Sequence, residues 1–177
     1  MTTFAIPTVV TARLRLRAFR AGDLEAYAAM QANPEVMRYL ITGRTATRAE
    51  VWRTMATFLG AWPLRGYGMW AVEKIDGGAF VGSVGVFEPL DWPEPEIAYS
   101  LDQPFWRQGF ATEGARAARD WLFGHFPCVG LRASFGPTTT LRNASQNGSA
   151  RSANGHSSCA VPPMNIGCTA MRVDSPE

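Results

Sequence analysis

Cysteines and long apolar runs are scarce in this sequence, and Trp, Tyr and Phe are absent from its last 42 residues. All six Trp and all ten Phe lie at or before Phe135. The three cysteines (Cys128, Cys159 and Cys168) have the spacing of neither a zinc site nor a disulfide framework. No apolar stretch approaches the ~20 residues of a membrane span, and a net charge of +2 does not favour nucleic acid. We therefore expect a cytoplasmic protein with no metal site, no membrane partner and no nucleic-acid partner.

The composition divides the chain near Phe135. From Gly136 to Glu177 there is no Trp, Tyr or Phe, and 22 of these 42 residues are Ser, Thr, Asn, Gly or Pro. Such a composition supplies little apolar surface to bury and tends toward disorder. We therefore predict one globular domain over residues 1–135, followed by a low-complexity tail over residues 136–177.

Hydrophobic periodicity predicts the element order β-α-α-β-β-β-α-β. This order indicates a mixed α/β domain, with a mostly antiparallel sheet flanked by helices and incomplete at the C-terminus. The last β-α-β unit is expected to pair in parallel. The predicted strands cover residues 11–17, 67–75, 80–87, 96–101 and 130–135, and the last long helix covers residues 111–126.

Helix boundaries in the first half carry recognisable signals. Asp23 occupies the place of an N-cap. Thr47 followed by Glu50 has the spacing of a capping box. Pro63 and Gly66 are expected to end the helix that begins there.

The segment from Glu96 to Glu113 is the most informative for function. It is predicted to run from a strand through a glycine-containing loop into the start of a helix. A helix N-terminus offers unpaired backbone N–H groups and the positive end of the helix dipole. The small Gly109 and Ala111 would let an anion approach the backbone closely. Taken alone, a glycine before a helix is more often only a turn.

The same segment resembles the acetyl-CoA motif of the GNAT acetyltransferase superfamily. Trp106-Arg-Gln-Gly109-Phe-Ala111 matches the pattern Q/R-x-x-G-x-G/A at its Gly and Ala positions, with Trp in place of the first residue. That departure is typical of the ribosomal-protein N-acetyltransferase (RimJ/RimL-type) branch, which favours W-x-x-G-[FY]-A-T-E. The opening strand 13–17, the helical segment 33–39 and Phe80-Val81-Gly82 also resemble that branch.

The resemblance implies an acetyl-CoA-dependent N-acetyltransferase, in which a primary amine attacks the acetyl thioester directly. Acetyl-CoA would be the cosubstrate, and the protein would be a monomer or a homodimer. The backbone near Tyr99–Leu101 would pair with the pantetheine arm and stabilise the developing oxyanion. The implied cofactor-binding residues are Tyr99, Ser100, Leu101, Gln108, Gly109, Phe110, Ala111 and Thr112.

Glu96 matches an acidic position that is frequent in this superfamily. It could accept the proton of the amine, directly or through a water molecule. The alternative is a solvated carboxylate at the end of a strand. Glu94 and Glu88 are weaker candidates for the same role.

Several other polar or aromatic residues have simpler interpretations. His125 is interpreted as a helix-end or core histidine, and Ser134 has no partners at triad spacing. The arginines of the first strand are interpreted as a solvated face. The Trp residues at positions 52, 62, 70 and 121 are expected to be core residues.

The tail lacks the helix and closing strands that the family supplies after residue 135. The third base of each codon can be read together with the first two bases of the next codon. From Gly136 onward, this shifted frame permits the translation P-D-N-H-P-S-Q-R-V-A-E-R-L-G-A-V. The translation resembles the missing family element. We hypothesise a frameshift, genuine or an artefact, near Ser134–Gly136. A non-catalytic CoA-binding remnant therefore stays open as an alternative to an enzyme. An unrelated α/β interaction module, which would bind no CoA, is the third possibility.

Overall fold

A computed structural model describes residues 5–127, apart from positions 39, 41, 91 and 93. The described residues all belong to the first of two units of the chain, Met1–Ala144. The second unit, Ser145–Glu177, lies outside them, as does the whole of the predicted tail over residues 136–177.

The described residues form an antiparallel sheet whose strands follow one another in chain order, β1-β2-β3-β4-β5. Each strand pairs antiparallel with the next, although the connection from β2 to β3 contains the first three helices of the chain. The strands are β1 Val9–Val10, β2 Leu14–Arg17, β3 Met69–Lys74, β4 Phe80–Phe87 and β5 Glu96–Leu101.

Helices cover both faces of this sheet. The helices are α1 Leu24–Gln31, α2 Pro34–Met37, α3 Arg48–Arg65 and α4 Phe110–His125, with short 3₁₀ turns at Ala21–Asp23 and Gln103–Phe105. Side chains alternate between faces along a strand, so Trp70 and Val72 pack under α4, while Ala71 between them packs with α1. The predicted mixed α/β architecture with a mostly antiparallel sheet is confirmed.

The first predicted strand is wrong in part. Residues 11–13 form the turn of a tight hairpin, and only Leu14–Arg17 continues as β2. Val9 pairs with Leu16 and Val10 with Arg15, so β1 begins before the predicted start at Thr11. The alternating Arg and Leu residues indicated a strand correctly, but they carried no signal for the turn.

Arg17 corrects the interpretation of the first-strand arginines as a solvated face. Its side chain is buried, with 5% of the residue exposed. It donates hydrogen bonds from Nη1 and Nη2 to the Asp23 carboxylate, both at 2.8 Å, and from Nε to Glu73 Oε2 at 2.7 Å. Asp23 therefore makes no side-chain cap to α1, contrary to its predicted role, because its carboxylate is held by Arg17 and by the amide of Arg20.

The capping box of α3 is confirmed. Thr47 Oγ1 accepts a hydrogen bond from the Glu50 amide at 3.3 Å, and Glu50 Oε2 accepts one from the Thr47 amide at 2.8 Å. Gly66 ends the helix in the left-handed conformation with φ 81°. Pro63 does not end it, because it lies in the last turn, where only one helical hydrogen bond is lost.

Replacing Glu50 with glutamine is expected to lower the free energy of unfolding more at neutral pH than at pH 3. Hydrogen bonds from Arg44, and then from Thr47, lower the pKa of Glu50 from 4.5 to about 2. A depressed pKa stabilises the folded state fully above the unfolded value and loses this effect as the pH falls toward the folded value. Urea unfolding followed by circular dichroism between pH 3 and pH 7 measures the difference. If the variant and the wild type differ in free energy of unfolding by the same amount at pH 3 and at pH 7, the lowered pKa of Glu50 is contradicted.

The tryptophans are mostly, but not all, core residues. Trp62 and Trp70 are fully buried, and their rings contact each other and Trp121. Trp52 is 59% exposed on α3, so its predicted core position is wrong.

The predicted strand at 130–135 lies outside the described residues. No helix in the described part of the chain is long and apolar enough to cross a bilayer.

Candidate active site

The loop between β5 and α4 is fixed at both of its ends. The indole Nε1 of Trp106 donates to the carbonyl oxygen of Leu101 at 2.7 Å. Gln108 Nε2 donates to the carbonyl oxygen of Pro104 at 2.8 Å. On the other side, the amide of Glu113 closes the first turn of α4 on the carbonyl oxygen of Gly109 at 3.0 Å. The loop therefore has one defined path from the sheet into the helix.

The backbone amides at the start of α4 face no acceptor within the described residues. Among those residues, no hydrogen bond is formed by the N–H groups of Gln108, Gly109, Phe110, Ala111 or Thr112. The first four amides of any α-helix lack an intrahelical partner, and here no side-chain cap replaces it. Gln108 and Gly109 are exposed, and Ala111 and Thr112 are half-buried. These amides and the dipole of a 16-residue helix suit an anion.

The backbone conformation of this loop depends on Gly109. Gly109 has φ 80° and ψ 2°, a left-handed conformation that glycine adopts without strain. Arg107, two residues earlier, is also left-handed, with φ 61°. Alternation of such residues turns successive N–H groups toward one concave surface. A side chain at Gly109 would also approach Nη2 of Arg13, which lies 3.5 Å from the position of a Cβ atom.

The three predicted residues of β5 lie next to this loop. Leu101 is buried in the core under α4, and Tyr99 packs partly against it. Ser100 points to the opposite face, and its buried Oγ has no hydrogen-bond partner within the described residues. One edge of β5 pairs with β4, and no partner strand occupies its other edge in the described part of the chain. A strand edge and a hydroxyl that lack partners among the described residues fit a polar, extended ligand such as the pantetheine arm.

Glu96 lies at the far end of β5 from the loop. It pairs with Phe87 in the sheet and is only 9% exposed, so it is not a solvated strand-end carboxylate. At ~3.3 Å per residue, roughly 16 Å separates it from Leu101. Glu88 is less suited to act as a base, because Arg65 and Tyr67 both donate to its Oε2. Glu94 is exposed.

The polar groups at this sheet end border a cavity between α3 and the sheet. Its polar lining is Arg65, Tyr67 and Glu88, and its other walls are mainly apolar. Burial, followed by the neighbouring Glu88 carboxylate, raises the pKa of Tyr67 to about 12. The phenol therefore stays protonated across the physiological range and can only donate to Glu88.

The remaining predicted candidates have structural positions. His125 is exposed at the end of α4, hydrogen-bonded to the carbonyl oxygen of Trp121 and stacked on its ring. Ser134 lies outside the described residues. Within residues 5–127 as described, no group of His, Cys, Asp and Glu side chains could hold a metal ion.

The structure therefore brings the predicted cofactor residues together and places the predicted base apart from them. Leu101 and Phe110 belong to one buried core cluster, so the end of β5 and the start of α4 lie side by side. Sequence reasoning missed two features of this region: the Ser100 hydroxyl, which has no partner among the described residues, and the contact of Arg13 with the loop. The only sequence signal for the second was Arg13 in the alternating strand.

The sequence profile of the acetyltransferase (GNAT) domain matches residues 13–147. This match covers most of the chain and all of the surface described above. The chain belongs to the GNAT acetyltransferase family, and the interpretation as an unrelated interaction module is excluded.

Individual relatives agree with this assignment. The chain is 31% identical to an FsC-acetyl coenzyme A-N(2)-transacetylase of Aspergillus fumigatus, over 82% of this chain and 64% of that protein. An acetyltransferase structure from Agrobacterium tumefaciens matches with a TM-score of 0.61 and 29% identity, over 70% of each chain. The chain thus spans slightly less than two thirds of the curated relatives it matches, at 64% and 61% of their lengths.

The comparisons do not single out one branch of the family. Solved structures with this fold include ribosomal-protein acetyltransferases. They also include a spermidine N-acetyltransferase from Vibrio cholerae in complex with CoA and spermine, with 18% identity, a TM-score of 0.55 and coverage of 70% of this chain and 71% of that one. At such identities the likeness shows the fold alone.

Proposed function

We propose that this protein transfers an acetyl group from acetyl-CoA to a primary amine. The observation that carries this proposal is the run of amides over residues 108–112 that have no acceptor among the described residues, at a helix N-terminus beside the end of β5. A diphosphate there would accept several N–H hydrogen bonds and meet the positive end of the α4 dipole. Family membership and the acetyltransferase names of its relatives support the same activity.

The acetyl end of the cosubstrate would lie along β5. The thioester carbonyl would accept a hydrogen bond from a backbone amide within Tyr99–Leu101, which would stabilise the negative charge that develops on its oxygen. The amine nitrogen would attack the carbonyl carbon, the C–S bond would break, and CoA would leave as a thiol. The amine would lose one proton on the way, and Glu96 is the proposed base, through water molecules because it lies at the far end of the strand.

The acceptor class is proposed from the loop motif. The run Trp106-Arg-Gln-Gly-Phe-Ala-Thr-Glu113 favours the ribosomal-protein N-acetyltransferase branch, and hence a protein N-terminus. A small-molecule amine is the alternative. An acetyl-CoA assay of released thiol, run with N-terminal peptides and polyamines, separates the two. Turnover with polyamines alone would contradict the branch assignment.

A non-catalytic CoA-binding remnant is the second candidate, and the composition of the tail favours it. We propose that residues 1–135 are the acetyltransferase domain and that residues 136–177 arise from a frameshift. The profile match ends at residue 147, inside this tail. Resequencing of the gene with intact-mass measurement tests the frameshift, and an uninterrupted gene in the printed frame would contradict it.

Thermal unfolding with and without CoA tests both candidates together. A ligand at 100 times its Kd stabilises the folded state by about 2.7 kcal/mol, so the unfolding midpoint should rise by several degrees. A rise with thiol release indicates the enzyme, and a rise without release indicates the remnant. No rise at millimolar CoA would contradict both.

A further inference from the structure

Three side chains that are distant in sequence form one hydrogen-bonded group beside the cofactor loop. Glu113, in the first turn of α4, accepts hydrogen bonds from Thr11 Oγ1 at 2.6 Å and from the Arg13 amide at 2.9 Å. Arg13 Nε donates to the other carboxylate oxygen at 2.7 Å. This group, Thr11, Arg13 and Glu113, joins the β1–β2 turn to α4.

Arg13 extends this group to the cofactor loop. Its Nη1 donates to the carbonyl oxygen of Gln108 at 2.9 Å. Its guanidinium carbon lies 4.5 Å from the ring centre of Phe110. Its Nη2 faces Gly109. One side chain therefore contacts Gln108 and Phe110 and lies beside Gly109, three consecutive residues whose amides have no acceptor in the described part of the chain.

These contacts fix the direction of the amides. When Arg13 holds the carbonyl of Gln108, the peptide between Gln108 and Gly109 cannot rotate, so its N–H keeps pointing away from the guanidinium. Without that contact, only the hydrogen bonds of Trp106 and Gln108 would hold the left-handed Arg107 in its strained conformation. A preorganised set of donors binds an anion more tightly than a mobile one, because less order is lost on binding.

The charge balance near the loop also depends on Arg13. Burial raises the pKa of Glu113, but hydrogen bonds from Thr11 and Arg13 outweigh it and hold the pKa below its ordinary value. The carboxylate is therefore ionised at neutral pH, within one helical turn of the free amides. The Arg13 guanidinium, paired with it at 2.6 Å, offsets a charge that would otherwise repel an anion.

We propose that Arg13 is a positioning residue for the diphosphate of CoA, acting through the carbonyl of Gln108 and the carboxylate of Glu113. This inference rests on the proposed function and adds a residue outside the loop motif to it. Arg13 belongs to the β1–β2 hairpin, so the hairpin contributes to cofactor binding without lying along the pantetheine path.

Replacing Arg13 with glutamine tests this role. The dissociation constant for CoA, measured by isothermal titration, is expected to rise by about tenfold, because charge-assisted hydrogen bonds are lost. Binding of pantetheine, which lacks the diphosphate, is measured by ligand-observed NMR and should stay within about twofold. Arg13→Lys keeps the charge but cannot reach Gln108 and Glu113 together, so an intermediate effect is expected. Arg53→Gln, at an exposed position on α3, is the control.

The outcomes separate this inference from the proposed function. If the wild-type protein binds no CoA, both fail. If it binds CoA and the Arg13→Gln variant binds equally well, only the positioning role fails. An equal loss for CoA and pantetheine would also overturn it, because a general structural effect would explain both. Thermal unfolding of each variant confirms that it is folded at the temperature of the titration.

Discussion

Replacing Arg17 with methionine is expected to lower the free energy of unfolding by about 3–5 kcal/mol. The change removes the only buried cation that contacts both Asp23 and Glu73 within the described residues. Asp23 then keeps the Arg20 amide as a hydrogen-bond donor, and Glu73 keeps only the more exposed Arg15. Methionine keeps the length and the apolar stem of the side chain, so the loss reports charge rather than volume. Urea unfolding at pH 7 measures it.

The pH dependence gives an independent test of the same cluster. Burial raises the pKa of Asp23, but the hydrogen bonds of Arg17 and of the Arg20 amide bring it below its ordinary value. The hydrogen bond from Arg17 also lowers the pKa of Glu73. Both carboxylates therefore stabilise the fold fully above their unfolded values of 3.8 and 4.5, and lose this effect as the pH falls through their folded values. The difference in free energy of unfolding between the wild type and the Arg17→Met variant should therefore decrease as the pH falls below 4.5.

Two further variants make the result decisive. Arg53→Met removes an exposed arginine from α3 and should change stability by less than about 0.5 kcal/mol. Adding Asp23→Asn and Glu73→Gln to Arg17→Met should recover part of the loss, because the buried charges are then gone. A loss below about 1 kcal/mol for Arg17→Met alone, the size of a solvent-exposed pair, would contradict the cluster as described.

Replacing Thr112 with aspartate is expected to weaken CoA binding by about a hundredfold relative to Thr112→Asn. The two side chains have nearly the same shape, so the comparison isolates one negative charge at the third residue of α4. Two like charges 4 Å apart repel by ~1 kcal/mol in water and by ~4 kcal/mol near a protein surface. A hundredfold change in the dissociation constant corresponds to about 2.7 kcal/mol, which lies between these two values. Isothermal titration with CoA measures it at two salt concentrations.

The same substitution should leave the fold intact or slightly more stable. An aspartate in the first turn of a helix interacts favourably with the helix dipole. A stability at least equal to that of Thr112→Asn, together with much weaker CoA binding, would indicate an anion at this helix start. Equal CoA affinity in the two variants, at both salt concentrations, would place the diphosphate elsewhere.

Local sequence signals predicted the elements that depend on local energetics. The bounds of β4 and β5 agree with the prediction, because hairpin glycines and turn residues flank both strands. The capping box at Thr47 and Glu50 needs only neighbouring atoms, and it formed as expected. Pro63 misled the prediction because it lies in the last turn of α3, where only two helical residues follow it.

Features that depend on partners distant in sequence could not be predicted. Asp23 has the residue type of an N-cap, yet a buried arginine from β2 holds it more strongly. Arg13, Arg15 and Arg17 alternate with leucines in the same pattern, but their partners lie on α4, β3 and the Ala21–Asp23 turn. Nothing in the pattern distinguishes these three environments.

The sequence predicted the backbone path of the candidate site but not the side-chain contacts around it. The loop motif around Gly109 predicted a helix start there, and α4 begins at Phe110 with first-turn amides that have no acceptor among residues 5–127 as described. The orphan hydroxyl of Ser100 depends on which face of β5 is covered, and the partners of Arg13 depend on how the first hairpin folds onto α4. The role of Glu96 as a base stays a prediction.

Amide chemical shifts during a CoA titration test the central claim most directly. Uniformly ¹⁵N-labelled protein should show shifts for the amides of residues 108–112, all saturating with the dissociation constant found by calorimetry. Adenosine diphosphate, which carries a diphosphate without the pantetheine arm, should shift the same amides and leave those of Tyr99 and Ser100 in place. CoA binding that leaves the amides of residues 108–112 unshifted would contradict the account.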